Sequence, residues 1–281
     1  MFSPLNVGVA KGIFQANGLD VEIIDFYGAA RAHQAMAAGA LDLLLGGGPD
    51  LAFIAKGSPE IGVAAVSTTP DLGFIVAYDA PMRTIGDLKG KKIGISTSGS
   101  LTAWLASDLA TVEGWGPTGI LPVAIGNQFA GEIAAMKTGN VDAFIETNAL
   151  GLQLEETKTG RLLAPVSTYV GDLVANAIFA SNNIVKTNPA AVRLFVKSWF
   201  ETIAFMRQNK QEIVPLVAQV TGYDLDLQGR DYDLTMPDFS SNGRFSPAAL
   251  HTLAESFVQL KVLDAQPDMA KLVTEQFLPS N

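Results

Sequence analysis

Ala35-Met36-Ala37-Ala38-Gly39-Ala40-Leu41-Asp42-Leu43-Leu44-Leu45 returns one hundred residues later as Ala135-Met136-Lys137-Thr138-Gly139-Asn140-Val141-Asp142-Ala143-Phe144-Ile145, without an insertion. Solenoid repeats are far shorter, so this period points to two related units. Each copy reads alike: a helix with small and apolar residues on one face, a Gly that ends it, an Asp, then an apolar run entering a buried strand. The strands lead into Gly46-Gly47-Gly48-Pro49 in one copy and Glu146-Thr147-Asn148 in the other. Two α/β units whose strands end in such loops predict two lobes around a ligand cleft.

Working outward, alternation over 19–24 predicts a strand, and apolar runs predict strands at 41–45, 61–67, 72–78, 93–95, 123–125, 141–145 and 174–180. Helices are expected over 28–38, 50–56, 101–113 and 129–137. From Asn188-Pro189 onward the chain turns to amphipathic helices, expected over 190–209, 211–220, 247–260 and 269–277. Strands alternating with helices imply mostly parallel, doubly wound sheets. Crossings near 78–80 and 174–176 divide the chain into one lobe of 1–78 plus 176–281 and a second of 79–175, with the helical tail completing the first.

The chain has 281 residues, 48% of them hydrophobic and 17% charged, which excludes disorder and allows a sizeable core. No apolar run reaches the length of a bilayer span. A net charge of −9 argues against nucleic acid as a partner, since phosphate neutralisation needs a basic surface. The absence of cysteine removes disulfides, thiolate metal sites and cysteine nucleophiles. Met1-Phe2-Ser3-Pro4 has neither a charged region nor an apolar core, so no signal peptide is visible.

Ser98-Gly99-Ser100, between a strand and a helix, brings hydroxyls, backbone N–H groups and a positive dipole end to one point. It reads as a seat for a carboxylate, sulfonate or phosphate, or as simple N-capping. It is no P-loop, because the Gly-Lys-Ser/Thr ending is missing. Gly46-Gly47-Gly48-Pro49 permits close backbone approach to a ligand, or a tight turn. Glu146 is a candidate acceptor for a ligand N–H or a solvated rim acid, and Asn148 suits orienting a polar head. Asp42 and Asp142 are repeat mates with turn or capping roles, and His33 and His251 lack metal-ligand spacing and read as structural or exposed. Trp104, just inside the Ser98 helix, is core or cleft lining.

Val9-Ala10-Lys11-Gly12-Ile13-Phe14 followed by Gly18-Leu19-Asp20-Val21-Glu22 resembles the opening of periplasmic solute-binding proteins of the nitrate/sulfonate/taurine type, the SsuA/TauA or NMT1-like family. Ile85-Gly86-Asp87-Leu88-Lys89-Gly90-Lys91-Lys92-Ile93-Gly94 and Ser98-Gly99-Ser100 match as well. The resemblance implies the type II periplasmic-binding-protein-like fold: two α/β lobes, a two-strand hinge and ligand in the cleft. By position, Ser3, Gly48, Pro49, Ser98, Gly99, Ser100 and Asn148 resemble its ligand-contacting loops, with Glu146 and Asn176 as further candidates. No Arg or Lys falls in these loops. The expected protein is a monomeric, periplasmic binding component, without enzyme activity, metal or cofactor, that delivers a small organic anion (sulfonate or carboxylate) to an ABC permease. A thiamine-pyrimidine precursor binder, in which Glu146 and Asn148 read ring amines, is the alternative within the fold, and a pyrimidine-synthase-like enzyme the alternative outside binding.

Overall fold

The computed structural model describes residues 4–26, 29–98, 100–116 and 118–279. In chain order its elements are α1 (Pro4–Ala10), α2 (Ile13–Ala16), α3 (Ala29–Ala37), β1 (Leu43–Gly47), α4 (Leu51–Ala55), β2 (Glu60–Ser67), β3 (Gly73–Ala77) and β4 (Lys92–Ile95). Next come α5 (Leu101–Val112), β5 (Leu121–Ala124), α6 (Phe129–Lys137), β6 (Ala143–Glu146), α7 (Asn148–Glu156), β7 (Gly160–Pro165) and β8 (Asn176–Ser181). Five helices follow: α8 (Asn182–Thr187), α9 (Pro189–Gln208), α10 (Lys210–Thr221), α11 (Leu225–Thr235) and α12 (Pro247–Gln259).

The repeated phrase folds into helix, glycine turn and strand in both places, although the strand expected to be buried is only half-buried in β1 and is buried over 143–145 in β6. Helices α3 and α6 end at Gly39 (φ 79°) and Gly139 (φ 71°), the left-handed conformation in which a side chain is strained. Ala40 N–H donates to Ala35 O and Asn140 N–H to Ala135 O, both at 2.9 Å. The Asp that follows acts in turn geometry in the second copy, where the Asp142 carboxylate accepts from Lys92 N–H at 2.8 Å and pins the start of β4.

Two sheets result, one of three strands in the order β1-β8-β2 and one of five in the order β5-β4-β6-β3-β7. Among the named strands of the described residues, parallel pairing joins β4 to β5 and β6, where α5 and α6 supply the crossovers that parallel strands require. β8 pairs antiparallel with both β1 and β2, and β3 antiparallel with both β6 and β7, so the expected mostly parallel sheets are mixed. The reason lies in the return of the chain: β8 arrives from the second lobe and inserts between two strands that run the other way.

β3 belongs to the five-stranded sheet, so the chain leaves the first lobe between Ser67 and Gly73 rather than near Tyr78. The outgoing and returning segments bond to each other: Leu173 N–H donates to Thr68 O at 2.9 Å, Ala175 N–H to Ser67 O at 3.0 Å and Val166 N–H to Leu72 O at 2.9 Å. They form a two-stranded connection between the sheets. Residues 19–26 pair with no strand, although Leu19 and Val21 pack partly buried while Asp20 and Glu22 stay exposed. Alternation reports a one-sided segment, not a hydrogen-bonded neighbour. Similarly, 269–277 yields only a 3₁₀ turn at Met269–Lys271, and α11 was not expected.

The cores lie on both faces of each sheet. In β8, Ile178 and Ala180 meet Val196, Trp199 and Ile203 of α9, while Ala177 and Phe179 meet Leu253 and Phe257 of α12. Ile93 and Ile95 of β4 pack on Leu105 and Leu109 of α5, and Phe144 of β6 packs with Met136 of α6 and Leu150 of α7. Each large side chain fully buried this way contributes about 1.5–3 kcal/mol. The helical tail does more than complete the first lobe. Arg230 of α11 pairs with Glu155 of α7, and Trp104 Nε1 of α5 donates to Gln259 Oε1 of α12 at 3.0 Å.

Candidate functional site

Parallel strands β4, β5 and β6 end at one edge of the five-stranded sheet, so their following loops are neighbours. Such an edge is the usual ligand side of an α/β sheet. The loop after β4 is braced from within: Thr102 Oγ1 accepts from Ser96 N–H at 2.9 Å and lies 2.9 Å from Ser100 Oγ. Ser100 takes the capping role, its hydroxyl accepting from Ala103 N–H at 3.2 Å. Ser98 stands apart. It is exposed and lines a cavity of about 410 Å³ with Ala103, Trp104 and Ser107 on one side and Gln259, Leu260 and Lys261 on the other. The cavity therefore opens between α5 of the second lobe and the end of α12, which is anchored in the first.

The end of β6 and the start of α6 are acidic. Glu146 is half-buried, its carboxyl raised above the ordinary range by burial and only partly relieved by the hydrogen bond from Thr147 N–H at 2.8 Å. Glu132, in the first turn of α6, is 2% exposed and its Oε2 has no partner. Burial, reinforced by the Glu146 charge, pushes its pKa up to about 7. Near neutral pH this carboxyl is therefore divided between donor and acceptor forms.

Asn148, expected to orient a ligand head, is 1% exposed at the start of α7, and its Oδ1 has no partner. Its Nδ2 donates to Asp71 Oδ1 at 2.9 Å in the outgoing connection between the sheets. Burial first, then the charge of Asp231 and of Asp238, push the Asp71 pKa to about 7 against the opposing effect of that hydrogen bond. Gly48 packs against the returning segment. Its N–H donates to Ala175 O at 2.8 Å, and a Cβ there would lie 1.6 Å from Val174 O. The close approach that this glycine permits is to the returning segment. Pro49 beside it is half-buried. Asn176, exposed at the start of β8, accepts from Ser67 Oγ at 2.9 Å and donates to Gly46 O at 3.4 Å. Ser3 and Gly99 lie outside the described residues.

His33 is buried behind the glycine loop. Its Nδ1 is 2.8 Å from Glu60 Oε1 and its Nε2 is 3.2 Å, off-line, from Asp50 Oδ2, which also accepts from Gly47 N–H at 3.0 Å. Burial opposes its charge, but the adjoining carboxylates of Asp50 and Glu60, the latter accepting from Nδ1, prevail and raise its pKa to about 9. His251 is exposed beside Glu255, and Trp199 is core. Among the described residues no three His, Cys, Asp or Glu side chains converge as a metal site. None of their helices is long and apolar enough to cross a membrane.

Sequence reasoning brought out Ser98 and Trp104 but missed Gln259 and Lys261, whose part in the cavity depends on where α12 ends. It also missed Glu132, which reads along the chain as an ordinary first-turn acid.

A family model described as NMT1/THI5 like matches residues 1–213. A Haemophilus influenzae protein named for thiamine biosynthesis is 31% identical over 157 residues, and the match spans 53% of this chain and about half, 49%, of that relative. The riboflavin-binding protein RibY of Chloroflexus aurantiacus is 24% identical over 295 residues, 99% of this chain and 82% of that protein. Among solved structures, the periplasmic aliphatic sulphonate binding protein SsuA from Escherichia coli superposes with a TM-score of 0.79 at 18% identity, covering 96% of this chain and 88% of that one. At that identity the likeness is one of fold.

Proposed function

From the premise that the chain belongs to the NMT1/THI5-like family, we propose that it is the solute-binding component of an ABC importer, taking a small organic anion between its lobes. The carrying observation is the inter-lobe cavity, where exposed Ser98 at the start of α5 faces Lys261 beyond α12, with the Trp104 ring beside them. A sulfonate or carboxylate head finds hydroxyl and ammonium donors there, and its apolar body finds Trp104 and Leu260. The ligand touches both lobes at once, so it stabilises the arrangement in which they approach, and closure follows from that difference in affinity. The cognate permease and a periplasmic location belong to the same proposal.

A second reading has its own support. Half-buried Glu146 and the unpartnered oxygen of Glu132 suit a ligand rich in N–H groups, such as an aminopyrimidine. One experiment separates the two. Native mass spectrometry of the purified protein is followed by thermal shifts with alkanesulfonates, carboxylates, nitrate and aminopyrimidines. A ligand at one hundred times its Kd adds about 2.7 kcal/mol of stability. A shift confined to organic anions, with the ligand recovered unchanged, supports anion capture. A shift confined to aminopyrimidines replaces it with the second reading, and conversion of the ligand overturns both in favour of an enzyme.

A further inference from the structure

Lys261 occupies a backbone conformation that a side chain disfavours. Helix α12 closes with Lys261 N–H donating to Val258 O at 3.0 Å and Val262 N–H to Phe257 O at 2.8 Å. These are the paired bonds of a Schellman end, whose left-handed residue is usually glycine. Here that residue is lysine, with φ 57°. The repeated helices α3 and α6 and the helix α10 end instead on Gly39, Gly139 and Gly222, all at positive φ. A left-handed residue other than glycine costs on the order of 1 kcal/mol, and an outlier of this kind is a reason to look for a function.

The chain contains its own comparison. Lys158 ends α7 in the same way, with φ 51° and the bond from Thr159 N–H to Leu154 O at 2.9 Å. A lysine at either place complements the negative end of its helix. What distinguishes Lys261 is that it also lines the cavity of about 410 Å³, opposite Ser98. The neighbouring Gln259 is fixed by its hydrogen bond from Trp104 Nε1 at 3.0 Å, so the end of α12 is registered against α5 when that bond is made.

Resting on the anion reading above, we infer that Lys261 is the residue that selects for charge: it supplies the cation, from the opposite lobe, to an anionic head seated at Ser98. The ligand is then a monoanion with an apolar body lying on Trp104 and Leu260, rather than an inorganic oxyanion such as nitrate, which would leave most of the cavity unfilled. Because the cation and the hydroxyl belong to different lobes, the charge contact is complete only when they approach, and it contributes to closure as well as to affinity.

The test is calorimetric titration of 1-butanesulfonate, butanoate, nitrate and uncharged 1-butanol into the wild type and the variants Lys261→Gly, Lys261→Gln and Lys158→Gly. Wild-type protein is expected to bind butanesulfonate or butanoate at least tenfold more tightly than nitrate or butanol. Lys261→Gly and Lys261→Gln are expected to lose about tenfold for the butyl anion, the order expected for a charged hydrogen bond. Lys158→Gly is expected to bind as the wild type does. Both glycine variants relieve a left-handed lysine, so both are expected to melt no lower than the wild type, which separates lost affinity from lost folding. Wild-type binding of the butyl anions with unchanged affinity in both Lys261 variants overturns the inference and leaves the anion reading standing. No binding of either butyl anion by the wild type overturns both.

Discussion

Replacing Asp71 by Asn removes one ionisation and little else. The new amide oxygen still accepts from Asn148 Nδ2, which bonds Asp71 Oδ1 at 2.9 Å. The native Asp71 carboxyl titrates near pH 7 instead of 3.8, first because it is buried and then because Asp231 and Asp238 repel its charge. A raised carboxyl pKa means that the folded chain holds a proton which the unfolded chain has already released. Stability therefore falls as pH climbs from about 3.8 to about 7, and the deficit is complete above that. The rise from 3.8 to about 7 corresponds to an upper bound on the order of 4 kcal/mol, and relaxation with water entry around a half-buried group reduces the expected cost to about 1–2 kcal/mol. Asp71→Asn avoids that cost. Urea unfolding at pH 5 and pH 8 measures it: the variant's advantage over the wild type should be larger at pH 8 by about 1 kcal/mol or more. An equal difference at both values, or a larger one at pH 5, refutes the reasoning about burial and like charge at the connection between the lobes.

Three other perturbations test separate parts of the structure. Gly48→Ala forces a methyl group to within 1.6 Å of Val174 O unless the backbone moves, and should cost about 3 kcal/mol, read as a lowered Tm; an unchanged Tm would show that the returning segment yields freely. His33, raised to about 9, contributes stability that is fully present below its ordinary value of 6.5 and is lost as pH rises through 9. The wild type should accordingly lose stability between pH 6.5 and 9 in thermal melts, and His33→Gln should not show that decline. Trp104→Phe keeps the apolar contact but deletes the donor to Gln259, at a cost of about 1 kcal/mol. Small-angle scattering should also find its lobes further apart, and identical scattering would mean that this bond does not hold them.

Much of the architecture was legible because its causes are local. The two copies of the repeated phrase contain, within eleven residues, the helix face, the left-handed glycine and the apolar run, and all three are found in place around Gly39 and Gly139. Ser100 as an N-cap follows from the same local logic, since its acceptor meets Ala103 N–H three residues on. The candidate site was less legible. The place of Asn148 and Gly48 after strands is legible along the chain, but not that one bonds Asp71 and the other presses on Val174. Neither partner lies near it in the chain.

The sequence by itself determined where the repeated helices stop, which segments are apolar on one or both faces, and that a helix–glycine–strand phrase occurs twice, because propensity, capping and periodicity act over a single turn or strand. It did not determine that β8 enters between β1 and β2, that β3 joins the five-stranded sheet, or that 19–26 finds no partner strand. An apolar face specifies burial without saying against what. Only the tertiary structure brought Lys261 to Ser98 and Glu132 to Glu146. Charge, desolvation and hydrogen-bond geometry depend on distances through space, and those distances exist only once the chain has packed.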